Sequence, residues 1–242
     1  MRRIRLPLGR GLFFLCAFLF AAVALLPLRL ALDWLAIDTL GVSARQAEGS
    51  IWLGALREVR IGGGAIGDLR ARLDPLPLAA GRARVEMDRL ERSDAGLPLR
   101  GAVIVSRHAL GVDDVSASLP IGASLAPLPI RTLDLTEVNV RFRDGLCDHA
   151  DGLVKAQLAG DVAGISLPAG LTGNARCEGG ALMLPLASQG GAEMLSLAIQ
   201  GSGSVRAELL VRPGGDAARA RLLGLGFLPV GDRLRLAVDA TL

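Results

Sequence analysis

The sequence predicts an all-β exported domain of antiparallel strands, with one N-terminal transmembrane helix and a short C-terminal helix. Three observations predict this fold class. A long apolar run lies near the N-terminus, apolar and polar residues alternate over much of the remaining chain, and turn-forming residues recur about every ten positions. The chain has 242 residues and is 51% hydrophobic, which is enough for one sizeable domain or two small ones.

The first predicted element is a membrane anchor. Residues Leu12–Leu28 carry no charge, and about 20 apolar residues are needed to span a bilayer. The bulky apolar residues expected to face lipid are Leu12, Phe13, Phe14, Phe18, Phe20, Leu25 and Leu26. The basic residues expected to set the topology are Arg2, Arg3, Arg5 and Arg10, and no acidic residue accompanies them. Because positive charge stays on the cytoplasmic side, the N-terminus is predicted inside and the bulk of the chain in the periplasm.

A cleavable signal peptide is the competing interpretation of this segment, because Ala22-Val23-Ala24 has the small residues of a cleavage site. The apolar run continues past that site through Leu25 and Leu26, which favours an uncleaved anchor. Both interpretations place the rest of the chain outside the cytoplasm.

The predicted organisation has three parts. Residues 1–10 form a basic cytoplasmic tail, residues 11–40 form the transmembrane helix and its extension, and residues 41–242 form the periplasmic β-rich domain. Trp34 in the extension is predicted at the lipid headgroups or in the core. The segment Pro120–Pro129 is rich in proline and small residues, so it is a candidate joint between two lobes of the sheet.

Charge excludes one class of function for the exported part. Beyond the first ten residues, 23 basic residues face 24 acidic ones. Nucleic-acid binding requires a concentrated positive surface, and this balance does not supply one.

Period-two alternation marks the predicted strands. It is clearest in Leu69–Leu73, Ala83–Met87, Val205–Val211 and Leu234–Leu242. One apolar face at this period is typical of antiparallel strands that cover a core on one side.

A β-bulge and a short helix are predicted as well. The alternation of Leu133 and Leu135 is out of phase with that of Val138 and Val140, which predicts a β-bulge near Thr136. The segment Asp216–Leu223 is predicted as a short helix that ends at Gly224.

The glycines Gly62, Gly64 and Gly67 have the G-x-G-x-x-G spacing of a dinucleotide-binding loop. That site requires a helix after the glycines, whose N-terminus faces the pyrophosphate. Here the following residues alternate as a strand, so the glycines are interpreted as a tight reversal between two strands. No cofactor is predicted.

The sequence offers no catalytic residues. It lacks the H-E-x-x-H, G-x-S-x-G and Walker lysine motifs. His108 follows a strand and His149 lies in a loop, without a ligand spacing that suits zinc. Asp113 and Asp114 are adjacent, so on a strand they point to opposite faces and cannot act together as acid and base.

Cys147 and Cys177 both belong to the exported part, whereas Cys16 lies in the apolar run. An even pair in an oxidising compartment favours one disulfide, and two buried thiols are the alternative.

Several segments in this order resemble the protein N family of the type II (general) secretion pathway. They are LDWLAIDTLGVSARQAEGSIWLGALREVRIGG, RFRDGLCDHADGLV, GNARCEGGALMLPL, IQGSGSVRAELLVRP and LLGLGFLPVGDRLRLAVDATL. The element Gly-Ser-x-Trp-x-Gly is represented by Gly49, Ser50, Trp52 and Gly54. The two exported cysteines fall where that family carries its paired cysteines.

This resemblance implies a non-enzymatic, inner-membrane-anchored component that aids export of folded proteins across the outer membrane. Its implied partners are the inner membrane, the secretion-pathway C protein, the inner-membrane platform and the outer-membrane secretin, with no nucleic acid. A weaker similarity to AsmA-like lipid-bridge proteins implies a twisted half-barrel with an apolar concave face, and lipid binding or transport as the alternative function. Trp52 is the candidate partner contact; its alternative role is to pin the first hairpin in the core.

Overall fold

The computed structural model describes residues 8–29, 42–61, 64–90, 99–121, 125–162, 165–166 and 170–241. The helices in these residues are α1 Leu8–Ala24, α2 Pro75–Leu78 and α3 Asp216–Gly224. The strands are β1 Val42–Ser43, β2 Gln46–Ser50, β3 Leu53–Ile61, β4 Gly64–Asp74, β5 Arg82–Arg89, β6 Arg100–Ser106, β7 Ala109–Pro120, β8 Ile130–Arg143, β9 Leu146–Leu158, β10 Asp161–Val162, β11 Ile165–Ser166, β12 Gly170–Asn174, β13 Arg176–Glu178, β14 Ala181–Ala187, β15 Glu193–Ile199, β16 Ser204–Val211, β17 Leu228–Val230 and β18 Arg233–Thr241.

One antiparallel sheet contains sixteen of the described strands. Its order is β1-β3-β4-β5-β6-β7-β8-β9-β12-β14-β15-β16-β18-β17, with β2 paired to β3 and β13 paired to β14, while β10 and β11 form a separate hairpin. Most strands therefore pair with the strand that precedes them in the chain. The sheet is open within the described residues, because strands at its two ends do not pair with each other. This confirms the predicted antiparallel all-β fold class.

The N-terminal helix α1 has 17 residues. Among the residues that the structure describes, no helix combines the length and apolar composition needed to cross a membrane. Most of the predicted helical extension, including Trp34, lies outside the described residues. The short C-terminal helix is present as α3, with Asp216 in its first turn.

The glycine-rich segment joins two strands, as the sequence predicts. Strands β3 and β4 pair antiparallel on either side of it, with Ile61 opposite Gly64. Gly62 lies outside the described residues, and Gly67 is within β4 at φ 98°. Since a strand and no helix follows these glycines, the dinucleotide-binding interpretation is excluded.

The predicted bulge lies in the β8–β9 pair. Thr136 pairs with Leu153 and Asn139 with Asp151, so two residues of β8 face only Gly152 of β9. Glu137 in the bulge has φ 50°, a conformation typical of such an insertion. The bulge moves the alternation of β8 by one residue, which explains why its two halves are out of phase.

A row of cross-strand leucines forms the centre of the core. Leu186 pairs with Leu195, Leu195 with Leu209, and Leu209 with Leu236. Leu209 is fully buried. Side chains from outside the sheet join this cluster, including Leu125 and Leu128 before β8, Leu222 of α3 and Phe227. A smaller cluster contains Val59, Ile66, Leu69, Leu99 and Ala117.

Two hairpin turns that are separated in the sheet come into contact at glycines. A Cβ on Gly201, in the turn between β15 and β16, would overlap the backbone of Gly145 in the β8–β9 turn. In the order of the sheet, β12 and β14 lie between those two hairpins. Because adjacent strands are about 4.8 Å apart, turns three spacings apart meet only if the sheet bends toward them.

Candidate functional site

The two histidines form exposed pairs with carboxylates, and His149 lies within β9 instead of the predicted loop. His108 Nδ1 lies 3.1 Å from Asp144 Oδ1, and His149 Nε2 lies 2.8 Å from Asp151 Oδ2. Asp151 also accepts a hydrogen bond of 2.7 Å from Asn139 Nδ2. The contact with Asn139, and then that with His149, holds the pKa of Asp151 below its usual value. In the described part of the chain, both imidazoles are therefore paired with carboxylates at the surface.

The adjacent carboxylates Asp113 and Asp114 are also separated by the structure. Asp113 forms an ion pair with Arg84, and the backbone N–H of Asp114 donates to Asn139 Oδ1 at 2.8 Å. Asp114 has φ 49° and lies at a register shift between β7 and β8. Within the described residues, no group of three His, Cys, Asp or Glu side chains is arranged to hold a metal ion.

The structure contains the disulfide between Cys147 of β9 and Cys177 of β13. The backbone N–H of Cys147 also donates to the carbonyl of Gly180 at 2.8 Å. Both links join the start of β9 to the hairpin formed by β13 and β14. Cys16 in α1 is free and exposed.

The predicted anchor residues lie on α1 or directly after it. Those with described side chains are exposed: Leu12, Phe13, Phe14, Phe18, Leu25 and Leu26. Phe20 and Arg10 are also on α1, whereas Arg2, Arg3 and Arg5 lie outside the described residues. The apolar side chains therefore contact little of the folded domain.

The segment after α1 is attached to the first hairpin of the sheet. Pro27 forms a bridge with Ser50, and the backbone N–H of Ile51 donates to the carbonyl of Leu26 at 3.0 Å. Leu28 is buried, and its Cδ2 occupies the space that a Cβ on Gly54 would need. Trp52 lies in the turn between β2 and β3 and is half-buried.

The C-terminal edge of the sheet, defined here as β17 with residues 236–241 of β18, is open to a further strand. β18 pairs with β16 along residues 234–241 but with β17 only along residues 233–235. Among the described strands, residues 236–241 thus have a partner on one side only. Leu236, Val238 and Ala240 pack against the core but are half-exposed, as expected where the next strand is absent. Leu228 and Val230 of β17 are exposed.

The opposite edge is more polar and partly covered. β2 presents Gln46 and Glu48, and its last residue, Ser50, is bridged by Pro27. Charged side chains and covering segments are common protections of edge strands against unwanted pairing. Among the described residues, no segment pairs with residues 236–241 on the side away from β16, so this edge is the better candidate for binding a partner strand.

The core-facing side of the middle strands is only partly covered. Leu73 pairs with Val85, Val85 with Val103, and Val103 with Val112, and all four side chains are half-buried. On the same face of the sheet, Val105 and its partner Leu110 are exposed. This open apolar face contrasts with the fully buried leucine row of β14, β15 and β16.

Sequence reasoning did not find the contact of Leu28 with Gly54 or the open C-terminal edge. The sequence identifies Gly54 as part of the Gly-Ser-x-Trp-x-Gly element but does not predict its contact with Leu28. An apolar run from Leu222 to Val230 is visible in the sequence, but periodicity does not tell which strand ends without a neighbour.

Comparisons with known proteins identify the family. The model of the family described as type II secretion system (T2SS), protein N, matches residues 40–225. The type II secretion system protein N of Vibrio cholerae serotype O1 is 28% identical over 169 residues, which cover 66% of this chain and 67% of that protein. No solved structure matches the chain. The family match spans the first hairpin, both disulfide cysteines and α3, and the chain therefore belongs to the protein N family of the type II secretion system.

Proposed function

We propose that this protein is an inner-membrane-anchored periplasmic component of the type II secretion system, which aids export of folded proteins across the outer membrane. It acts by binding other components and not by catalysis. The family supports the role in secretion. The four arginines of the first ten residues and the exposed apolar side chains of α1 support an anchor whose N-terminus is cytoplasmic.

The open C-terminal edge is the observation that carries the binding role. An extended segment of a partner can add a strand there, because residues 236–241 have unpaired backbone groups on one side among the described strands. Apolar side chains of the added strand would cover the half-exposed side of Leu236 and Val238. Of the components of the machine, we propose the C protein as the source of this strand, with the inner-membrane platform and the outer-membrane secretin as further partners.

Photocrosslinking in secreting cells tests this function. A photoreactive phenylalanine analogue is placed at Thr241, which is exposed on β18, and in a control at Thr136, which is exposed on β8 between two paired neighbours. We expect an adduct with the C protein from Thr241 and none from Thr136. Equal adducts from both positions would contradict the edge as the binding site, and normal secretion after deletion of the protein would contradict the role in export.

The half-buried apolar face of β4 to β7 favours a second candidate function, lipid binding. Leu73, Val85, Val103 and Val112 form an apolar row across four neighbouring strands, about 14 Å wide, against which part of an acyl chain can lie. Mass spectrometry of the protein purified under native conditions distinguishes the two functions. Bound phospholipid that Val103→Asp abolishes would support lipid binding, whereas lipid-free protein that restores secretion would exclude it.

A further inference from the structure

The unexplained Gly-Ser-x-Trp-x-Gly element lies where the N-terminal segment meets the sheet. α1 ends at Ala24, and within four residues the chain is attached to the β2–β3 hairpin. The carbonyl of Leu26 accepts the N–H of Ile51, and Pro27 bridges Ser50. These backbone links fix the position of the hairpin turn relative to the end of α1.

Gly54 makes this attachment possible. Leu28 is 8% exposed, and its Cδ2 lies where a Cβ of residue 54 would be. The carbonyl oxygens of Glu48 and Ser50 would each be 3.2 Å from the same Cβ. A side chain at residue 54 would force Leu28 to shift and would press on two backbone carbonyls, so glycine lets the leucine lie directly against β3.

The turn itself is apolar, and its last residue is exposed. Leu53, the first residue of β3, is 60% exposed, and Trp52 beside it is half-buried. Leu25 is 77% exposed and Leu26 37%. The backbone links at Leu26 and Pro27 join the exposed apolar side chains of α1 and of residues 25–26 to the turn. Arg29, which follows Leu28, is exposed.

We propose that the β2–β3 turn, residues 51–53, is a second membrane contact that lies on the same phospholipid surface as the anchor. This inference rests on the proposed anchoring of α1 in the inner membrane. A turn attached beyond the end of a membrane helix lies at the depth of the headgroups, where tryptophan is enriched and arginine is compatible with anionic lipid. The contact would set the orientation of the whole sheet relative to the membrane, because the turn belongs to its first strands.

Fluorescent labelling of single cysteines tests the contact in the full chain. The environment-sensitive dye NBD is attached to Leu53→Cys in a Cys16→Ser background, and the protein is reconstituted in vesicles of phosphatidylethanolamine and phosphatidylglycerol. The matched control is Leu228→Cys, at the other end of the sheet, because Leu228 is 61% exposed. Native Cys16, labelled in the unaltered chain, reports the anchor. The disulfide between Cys147 and Cys177 is kept oxidised.

Lipids brominated at shallow and deep positions measure the depth of each dye. We expect loss of NBD emission at residue 53 with shallow bromines, since apolar side chains at an interface lie about 5–10 Å into the headgroup and acyl boundary. We expect no loss of NBD emission at residue 228 with either lipid. At Cys16 we expect loss of emission with deep bromines. Unquenched emission at residue 53 with a quenched Cys16 would overturn the turn contact and keep the anchor. Unquenched emission at both would overturn the anchor as well, and equal quenching at residues 53 and 228 would show that the turn is not a distinct contact.

Discussion

Single residues decide where backbones come close together in this protein. Gly54 leaves room for Leu28, Gly201 leaves room for the β8–β9 turn, and Gly152 faces the bulge of β8. At Gly201 and Gly152 the neighbour is backbone, so a methyl group there cannot be accommodated by a side-chain movement, whereas at Gly54 the nearest atom is the end of the Leu28 side chain. The effect of a substitution therefore depends on the partner and not on the number of glycines in the chain.

Replacement of Gly152 by alanine is expected to destabilise the protein by about 2–4 kcal/mol. Gly152 has φ 109°, and its Cβ would lie 2.5 Å from Val138 Cα and 2.7 Å from the carbonyl oxygen of Glu137. Gly190→Ala is the control, because no heavy atom lies within 4 Å of its Cβ. Urea unfolding of both variants measures their free energies of unfolding relative to the wild type. Similar losses in both would contradict a specific role of the bulge contact.

Acid is expected to weaken the Asn139–Asp151–His149 contacts. The pKa of Asp151 is lowered in the folded protein, first by Asn139 and then by His149. A lowered carboxylate pKa stabilises the folded state above the unfolded value of about 3.9, and this stabilisation disappears as the pH falls through the folded value. The difference between the urea midpoints of the wild type and of Asp151→Asn should be constant well above about pH 4 and should shrink as the pH falls further. A constant difference between the two curves would rule out this linkage.

Elements are joined in this protein by more than strand pairing. β13 is only three residues long and pairs with β14, but it is also held to β9 by the disulfide. Pro185 of β14 has no N–H to donate, and it lies between the segment of β14 that pairs with β13 and the residue that pairs with β12. The missing donor gives a physical reason for the break between β12 and β13 at Ala175.

Removal of the disulfide by Cys147→Ser with Cys177→Ser is expected to cost about 3.5 kcal/mol of stability on the loop-entropy model. The bond closes a separation of 30 residues between the start of β9 and β13. Cys16→Ser is the control, because Cys16 is not part of a disulfide. In urea unfolding without reductant, the double variant should have a lower free energy of unfolding than the control. Equal stability of the two would mean that strand pairing alone holds β13.

At the scale of the whole molecule, the described sheet runs without a break from the first hairpin to β17. β7 and β8 pair from Ala109 with Arg143 to Pro120 with Thr132, so they join the smaller buried cluster to the larger one. The joint between two lobes at 120–130 stays a prediction. Leu125 and Leu128 within that segment belong to the larger cluster, which ties it to the second half of the sheet.

This continuity predicts one cooperative unfolding transition for the β-rich domain. A calorimetric enthalpy equal to the van't Hoff enthalpy would agree with it, because breaking the β7–β8 ladder exposes both clusters together. Two resolved transitions, with the first abolished by Leu69→Ala, would show instead that the lobes unfold separately. In that case Leu209→Ala should lower the midpoint temperature of the second transition, since Leu209 lies in the larger cluster.

Local features of this protein can be predicted from residues that are close together in the chain. Alternation located the strands around Leu69–Leu73 and Val205–Val211, the phase change near Thr136 located the bulge, and the strand pattern after Gly67 excluded a nucleotide loop. These features depend on side chains close in sequence, whose spacing is fixed by the geometry of a strand. The family resemblance rested on a longer ordered set of segments, and the family match agrees with it.

The open strand edge, the half-exposed apolar face and the contact of Gly54 with Leu28 depend on long-range packing and become visible in the folded chain. Residues 236–241 and the paired strand β16 have the same alternation, yet only the former lack a neighbour on one side among the described strands. Leu28 meets Gly54 across 26 positions, and no period in the sequence connects them. Alternation shows which side of a strand is apolar, but exposure depends on what lies against that side, and this is set by contacts between residues far apart in the chain.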